Sequence, residues 1–473
     1  MSEKITKREI AKEAKLFAIY GFVFVYFVFK MFYYMEQIWY VPDEEAHISY
    51  VAYLEEYPDK IIPEFENITL YGGGVSRGEP RFWYFNEHKV CYLGHPPLYY
   101  HMMKLLNATD PQGEEMFVDL YPLKLANIVL TSFTMLIILY FGYSRMKRFT
   151  MSGFYHSVFA VAATSVPMLA LCGSGVTNDN LSNLGVILFL IGVFRYYEER
   201  INYGTYFLVA LGFFISIMSK LTTGEILVLM LAVIFLAELI RNRNLKLIAN
   251  RYFFASLPIY LIAAAYFFII LKNYGSIQPG LEVIAPNELN IIPEEEREVM
   301  SFFAYMEHFF KNFIYTWSGI YNGRFYMMKV FAPFVRYPFY FIVILCFVRG
   351  IIGIVQWIRK KDIYDMVYIS AVISLLITII TQFLNGYRGF IERGYMGGYQ
   401  ARYYLCMIPI LAFACGETFG RLDTESEKTR SKGQRVLIWC RRIIGRAAAF
   451  AFVLWMLYSD FLYFLSIYKA YKW

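Results

Sequence analysis

The sequence predicts an all-α polytopic membrane protein of about eleven transmembrane helices, on three observations. Hydrophobic residues make up 58% of the 473 residues and Phe, Tyr and Trp 20%. That exceeds what a soluble domain needs to fill its core, and the mean hydropathy is positive. Apolar runs of about 20 residues, enough to cross a bilayer, recur along the chain, and Lys and Arg gather in alternate connections between them.

In order, the runs cover residues 16–35, 123–143, 153–172, 181–197, 204–219, 223–240, 252–271, 337–358, 364–384, 402–420 and 447–467. The first has a basic flank (Lys4, Lys7, Arg8, Lys12, Lys15) and only Tyr33-Tyr34-Met35-Glu36 where a cleavage site would fall, so it reads as a retained anchor. Arg145/Lys147/Arg148, Arg195/Arg200, Arg241/Arg243/Lys246/Arg251, Arg349/Arg359/Lys360/Lys361 and the stretch from Arg421 to Arg446 then all fall on the side of the N-terminus. That side is expected to be cytoplasmic, in a multi-pass plasma-membrane protein. The net charge of +7 belongs to these flanks, facing anionic lipid, and requires no nucleic acid. The six cysteines have no CxxC spacing, so neither a disulfide framework nor structural zinc is expected. No GxxxxGK[ST] phosphate loop occurs.

The chain reads as a single transmembrane domain, 1–473, with its specialised segments on the opposite, outer face: 36–122, 272–336 and 385–402. From Pro42, the spacing of Ala46, Tyr50, Val51 and Leu54 predicts an amphipathic helix along the interface, with the proline in its first turn. Leu98, Met102, Leu105 and Leu106 predict another after Pro96-Pro97. Pro293-Glu294-Glu295-Glu296 reads as an acidic helix start, and Gly72-Gly73-Gly74 as a turn.

Two motifs on that face could carry chemistry. In Pro42-Asp43-Glu44-Glu45-Ala46-His47, helical spacing puts Asp43 and His47 on one face and turns Glu44 roughly 100° away. The alternative is that the carboxylates only complement the helix dipole. In His95-Pro96-Pro97-Leu98-Tyr99-Tyr100, consecutive prolines fix the direction of His95 and Tyr99, although a histidine at a helix entry can be a plain cap.

With both motifs, the chain resembles the GT-C superfamily of integral-membrane glycosyltransferases. PDEEAH is similar to the acidic first-outer-loop motif of those enzymes, especially a PDE-x-A-H bacterial branch. HPPLYY is similar to a segment of bacterial relatives of protein O-mannosyltransferases and of lipid A aminoarabinose transferase. The resemblance implies a GT-C-like fold and an inverting transferase that takes a sugar from a polyprenyl-phosphate carrier. It also implies a first-loop carboxylate as base: Asp43, with Glu44 as rival. The acceptor would be an envelope glycan, a glycolipid or a protein. The chain departs from that pattern at Glu45, where the branch often has proline, and at Ala401, where glycine is more usual. No large soluble domain is expected after the last apolar run, and a sequon-reading function is therefore not expected.

Such chemistry needs a base for the acceptor hydroxyl and fixed cations for the leaving phosphate. Lys220, Arg324, Arg388, Arg393 and Arg402 are the candidate cations, and arginine's fork suits phosphate. Interfacial anchoring or snorkelling is the plain alternative for each. Asn178 and Asp179 could contact substrate or simply form a hairpin turn. No cofactor is required, though Asp43, Glu44, His47 and His95 could assemble a divalent-metal site. The rival functions are a polysaccharide polymerase or ligase and a secondary transporter. For a transporter, charges near the bilayer midplane would be expected, and only Lys30 and Glu225 come close, both toward the outer end.

Overall fold

The computed structural model describes residues 7–37, 41–72, 81–243, 245, 247–289, 291–317, 328–358, 363–421 and 432–470. Its helices are α1 Lys7–Gln37, α2 Glu44–Glu56, α3 Leu98–Met103, α4 Leu120–Met146, α5 Gly153–Thr164, α6 Pro167–Gly173, α7 Asp179–Tyr197, α8 Tyr203–Ile217, α9 Leu221–Asn242, α10 Arg251–Tyr274, α11 Leu281–Ile284, α12 Phe302–Trp317, α13 Met328–Ile358, α14 Asp365–Arg393, α15 Ile408–Gly420 and α16 Lys432–Ala470.

Among the described residues, nine helical segments are long and apolar enough to span a membrane: α1, α4, α7, α9, α10, α13, α14, α15 with the 3-10 turn before it, and α16. The α5–α6 pair adds a bent segment and α8 a short one. Every run read from the sequence corresponds to one of these eleven segments, counted as nine plus two. Pro167 at the first turn of α6 cannot continue α5, and the chain bends 52° there.

At the centre lie α5 and α15, with most of the first and nearly all of the second buried. α7 and α8 pack closely through small residues: a Cβ on Gly212 would come within 2.3 Å of the Phe189 nitrogen. Caps set several boundaries. Asn250 accepts from the amides of Tyr252 and Phe253, both at 2.9 Å, to start α10, and Asp119 accepts from Tyr121 at 3.1 Å to start α4.

The first long loop adds to the helical architecture a four-stranded antiparallel sheet: β1 Thr69–Gly72, β2 Arg81–Val90, β3 Thr109–Gln112 and β4 Glu115–Val118, in the order β1-β2-β4-β3. The sheet covers α2. Tyr71 N donates to Ser49 Oγ at 3.0 Å, and Glu55 accepts from the amides of Ala108 and Thr109 at 3.1 and 2.8 Å. The expected interfacial helix at Pro42 is therefore corrected in two ways. α2 is buried along residues 46–54 rather than lying in an interface, and it begins at Glu44, after Asp43 in a left-handed conformation at φ 63°. Asp tolerates that region better than most residues.

Two more expectations change. Glu294–Glu296 makes one exposed 3-10 turn, because three adjacent carboxylates offer no apolar face to bury, and α12 starts only at Phe302. The expected loop from residue 385 is helical as far as Arg393. There Phe383 and Phe390 pack with Tyr305 and Phe309. Gly386 serves close approach rather than bending: a Cβ would meet the Gly397 carbonyl and the Tyr305 hydroxyl, both at 2.8 Å. Gly73 and Gly74 of the expected turn lie outside the described residues.

Lys30, placed by the sequence toward the outer end of the first span, is wholly buried. It pairs with Asp460 of α16 at 2.5 Å and donates to the Thr164 carbonyl at 3.1 Å, at the α5–α6 bend. A cation held this deep is stable only with a counter-ion.

Candidate functional site

Five distant segments meet at the end of the bundle that carries the sheet: the α1–α2 connection, the residues before α3, the α6–α7 turn, the α8–α9 turn, and the 3-10 turn Ala401–Met407. Their ionisable side chains interlock. Arg402 pairs through Nη2 with Asp43 and donates from Nη1 to the Pro42 carbonyl at 2.7 Å. Lys220, the residue before α9, pairs with Asp179 at the start of α7, and both are buried. Asp179 also accepts from Thr177 Oγ1 at 3.1 Å. Asn178 ties the two turns together by donating to the Ser219 carbonyl at 2.8 Å.

Tyr403 joins the two ion pairs. Its ring centroid lies 4.9 Å from Lys220 Nζ and 5.5 Å from Arg402 Cζ, so two buried cations contact one aromatic ring. The Nε of Arg402 is buried and has no hydrogen-bond partner among the described residues. A guanidinium with a spare buried donor has capacity for a further acceptor.

The left-handed turn at Asp43 aims its carboxylate at Arg402 and leaves it 24% exposed. Burial alone would raise its pKa. The Arg402 guanidinium outweighs that, helped by the Tyr92 hydroxyl and His47, and pulls it down to about 2. Glu44 turns the other way. Its Oε1 accepts from Val176 N at 2.8 Å, and its Oε2 lies 3.4 Å from Lys124 Nζ. The adjacent carboxylates thus separate into one facing the cationic cluster and one clasping the chain.

His47 and His95 stack with centroids 6.2 Å apart. Burial, and then His95, push the pKa of His47 well below its usual value, and burial with Lys220 pushes that of His95 to about 3. Both are neutral at pH 7. His47 Nδ1 lies 2.8 Å from the Tyr100 hydroxyl. His95 Nδ1 lies 3.1 Å from Gln278 Nε2, contributed by the second long loop. That loop crosses so closely that a Cβ on Gly94 would come within 1.9 Å of the Pro279 carbonyl oxygen. Tyr99 donates to Asn127 Oδ1 at 2.9 Å, inside the bundle.

Of the residues singled out in the sequence, Asp43, His47, His95, Asp179, Lys220 and Arg402 come together, with Asn178 pinning the scaffold. Glu44 and Tyr99 lie beside the cluster, Glu44 bonded to Val176 and facing Lys124, Tyr99 bonded to Asn127. Arg388 does not join it: it is 77% exposed and pairs with Glu392 one helical turn along. Its place on α14 rather than on a loop is the reason. Arg393 ends α14, next to the 394–400 segment, and Arg324 lies outside the described residues. Tyr92 and Gln278 were not legible as site residues. Gly94 was the available signal. Among the described residues, no three His, Cys, Asp or Glu side chains are arranged to hold a metal ion, and Glu44 faces away from the other three members of the expected set.

No family model matches the chain, and no curated protein matches it. Two solved structures resemble it, both of ArnT from Cupriavidus metallidurans. The one bound to undecaprenyl phosphate has 12% identity and a TM-score of 0.44, covering 95% of this chain and 75% of that one. The apo structure has 13% identity and a TM-score of 0.45, covering 95% and 77%. A likeness that slight assigns no residue and no reaction to this chain.

Proposed function

We propose that the protein is an inverting glycosyltransferase of the plasma membrane. It would move a sugar from a polyprenyl-phosphate carrier to an acceptor outside the cytoplasm, whether an envelope glycan, a glycolipid or a protein. The observation that carries this reading is the pairing of Asp43 with Arg402 beside a second buried cation, Lys220, at the end of the helical bundle that carries the sheet. A carboxylate and two fixed cations on one site are the groups that the displacement of a sugar from phosphate requires.

In the step, the acceptor oxygen bonds to the anomeric carbon and the carbon–oxygen bond to the phosphate breaks, its electron pair leaving on the phosphate. The hydroxyl proton passes to Asp43. Arg402 and Lys220 stabilise the charge gathering on the phosphate, and the unpaired Nε of Arg402 supplies a ready donor. A carboxylate held near a pKa of 2 is a poor base. Donor phosphate drawing Arg402 away from Asp43 restores its basicity, so the base is released only when the donor is seated. The step is drawn through no metal ion and no cofactor.

The test is transfer from labelled polyprenyl-phosphate sugars to membrane extract by the purified protein. Asp43→Asn is expected to lose at least about 10²-fold in rate. Glu44→Gln is expected to retain transfer per folded molecule and to lose about 1–3 kcal/mol of stability, the cost of disturbing a buried acceptor. Undiminished transfer by Asp43→Asn, or uptake into proteoliposomes with no covalent product, would overturn the reading.

A further inference from the structure

At the opposite end of the bundle from Asp43, α7, α8, α9 and α10 line a partly open apolar cavity of about 220 Å³. Val193, Val209, Leu231, Ile234, Leu257 and Tyr260 line it. An apolar cavity on the order of 150 Å³ already stays dry, so hydrocarbon rather than water suits this one. Its origin lies in the lengths of the helices. α8 has 15 residues, and at about 1.5 Å each it reaches only part of the way across a hydrocarbon layer of about 30 Å.

The cavity is held open rather than left loose. The Tyr206 hydroxyl donates to the Leu247 carbonyl at 2.9 Å, and Asn250 Nδ2 donates to the Tyr206 oxygen and the Leu247 carbonyl, both at 3.0 Å. These bonds fix the α9–α10 connection across one end. Two cations stand at the same end. Arg195 reaches Gly204, next to Thr205 on the cavity wall, and its Nε is buried without a hydrogen-bond partner among the described residues. Arg251 is exposed, its guanidinium 5.8 and 5.0 Å from the ring centroids of Tyr203 and Tyr252, and the Tyr252 ring lies 6.1 Å from that of Tyr206.

We propose that this cavity binds an anionic glycerophospholipid of the adjoining leaflet, one acyl chain lying in the apolar cleft and the phosphate against Arg195 and Arg251. The occupant follows from the complementarity: a hydrocarbon cleft ends at an arginine with an unused buried donor and a second arginine stacked on tyrosines. The site is independent of the transferase reading.

The experiment is native mass spectrometry of the detergent-purified full chain, titrated in parallel with phosphatidylglycerol and phosphatidylcholine of identical chains. Phosphatidylglycerol is expected to be retained roughly ten- to thirty-fold better, from two interfacial cations. The Arg195→Gln/Arg251→Gln double variant should abolish that preference, and Leu231→Trp, which fills the cleft, should reduce retention of both lipids. Equal retention of the two lipids by the wild type would overturn the proposal. So would a preference unchanged in the arginine variant, which leaves the packing intact and decides the matter even if Leu231→Trp fails to fold. Displacement of phosphatidylglycerol by equimolar polyprenyl phosphate would also overturn it.

Discussion

Arg402 and Asp43 form an ion pair across 359 positions of sequence, and the same guanidinium holds the Pro42 carbonyl at 2.7 Å. The pair ties the 3-10 turn before α15 to the chain entering α2, so one side chain sets both the charge state of Asp43 and the position of its backbone.

Arg402→Gln removes the cation that depresses the Asp43 carboxyl. The acid limb of kcat/KM against pH, which reports the donor-free enzyme, is then expected to move upward from about 2 toward or beyond the ordinary carboxylate range, since the remaining burial raises the pKa. The rate at neutral pH should fall by about 10²–10³-fold for want of phosphate stabilisation. Arg402→Lys keeps the charge but loses the fork, so it should restore the pH limb more fully than the rate. An unmoved limb in Arg402→Gln would show that Asp43 is not the titrating base.

Asp179 and Lys220 are both almost fully buried, so their separate removal and joint replacement give different results. Asp179→Asn or Lys220→Met leaves one charge unpaired and should each cost about 3–5 kcal/mol. An Asp179→Leu/Lys220→Met double variant should recover most of that loss, measured by thermal unfolding in detergent. Transfer should not recover with it, because Lys220 stands with Arg402 beside the Tyr403 ring. Recovery of both would make the pair purely structural.

Much of the spanning architecture was legible because about 20 apolar residues per crossing is a constraint set by the bilayer, not by tertiary detail. The site was legible at its charged members for a related reason: Asp43, Asp179, Lys220 and Arg402 stand at helix ends beside long apolar runs, where unpaired charge is costly. What the sequence could not supply were partners. Nothing in the text of Lys30 names Asp460, 430 positions away. The helical wheel that separated Asp43 from Glu44 reached the right division on a wrong premise, since Asp43 precedes the helix. The sheet was hidden by short strands, one of them containing Pro111. Yet β2 carried a readable alternation: Phe82 and Tyr84 are exposed at 49% and 55%, while Trp83 between them is 3% exposed.

The two histidines make stability depend on pH in a defined direction. Both have folded pKa values below the ordinary 6.5, so the unfolded chain binds more protons wherever pH lies between the folded and unfolded values. Their contribution is therefore complete above about 6.5 and is lost as pH falls, for His95 down to about 3. The melting temperature should decline from near pH 6.5, before the carboxylates titrate, by roughly a few degrees per pH unit. His95→Gln should flatten that decline between pH 6.5 and 4.5. A flat wild-type profile over this range would contradict the buried neutral state.

Lys30 and Asp460 offer a control outside the site, with the charged groups at 0% exposure and joined at 2.5 Å. The pair links α1 to α16, and the ammonium also takes the Thr164 carbonyl at 3.1 Å, where the α5–α6 bend leaves it without a helical partner. Lys30→Met alone should be costly, about 3–5 kcal/mol, because it strands a carboxylate deep in the bundle. Lys30→Met/Asp460→Leu should fold with near wild-type stability and retain transfer per folded molecule, since neither residue touches the Asp43 cluster. If the pair instead moved protons or ions across the membrane, the double variant would lose function while keeping its fold. Measuring thermal unfolding and transfer on the same preparation separates these results.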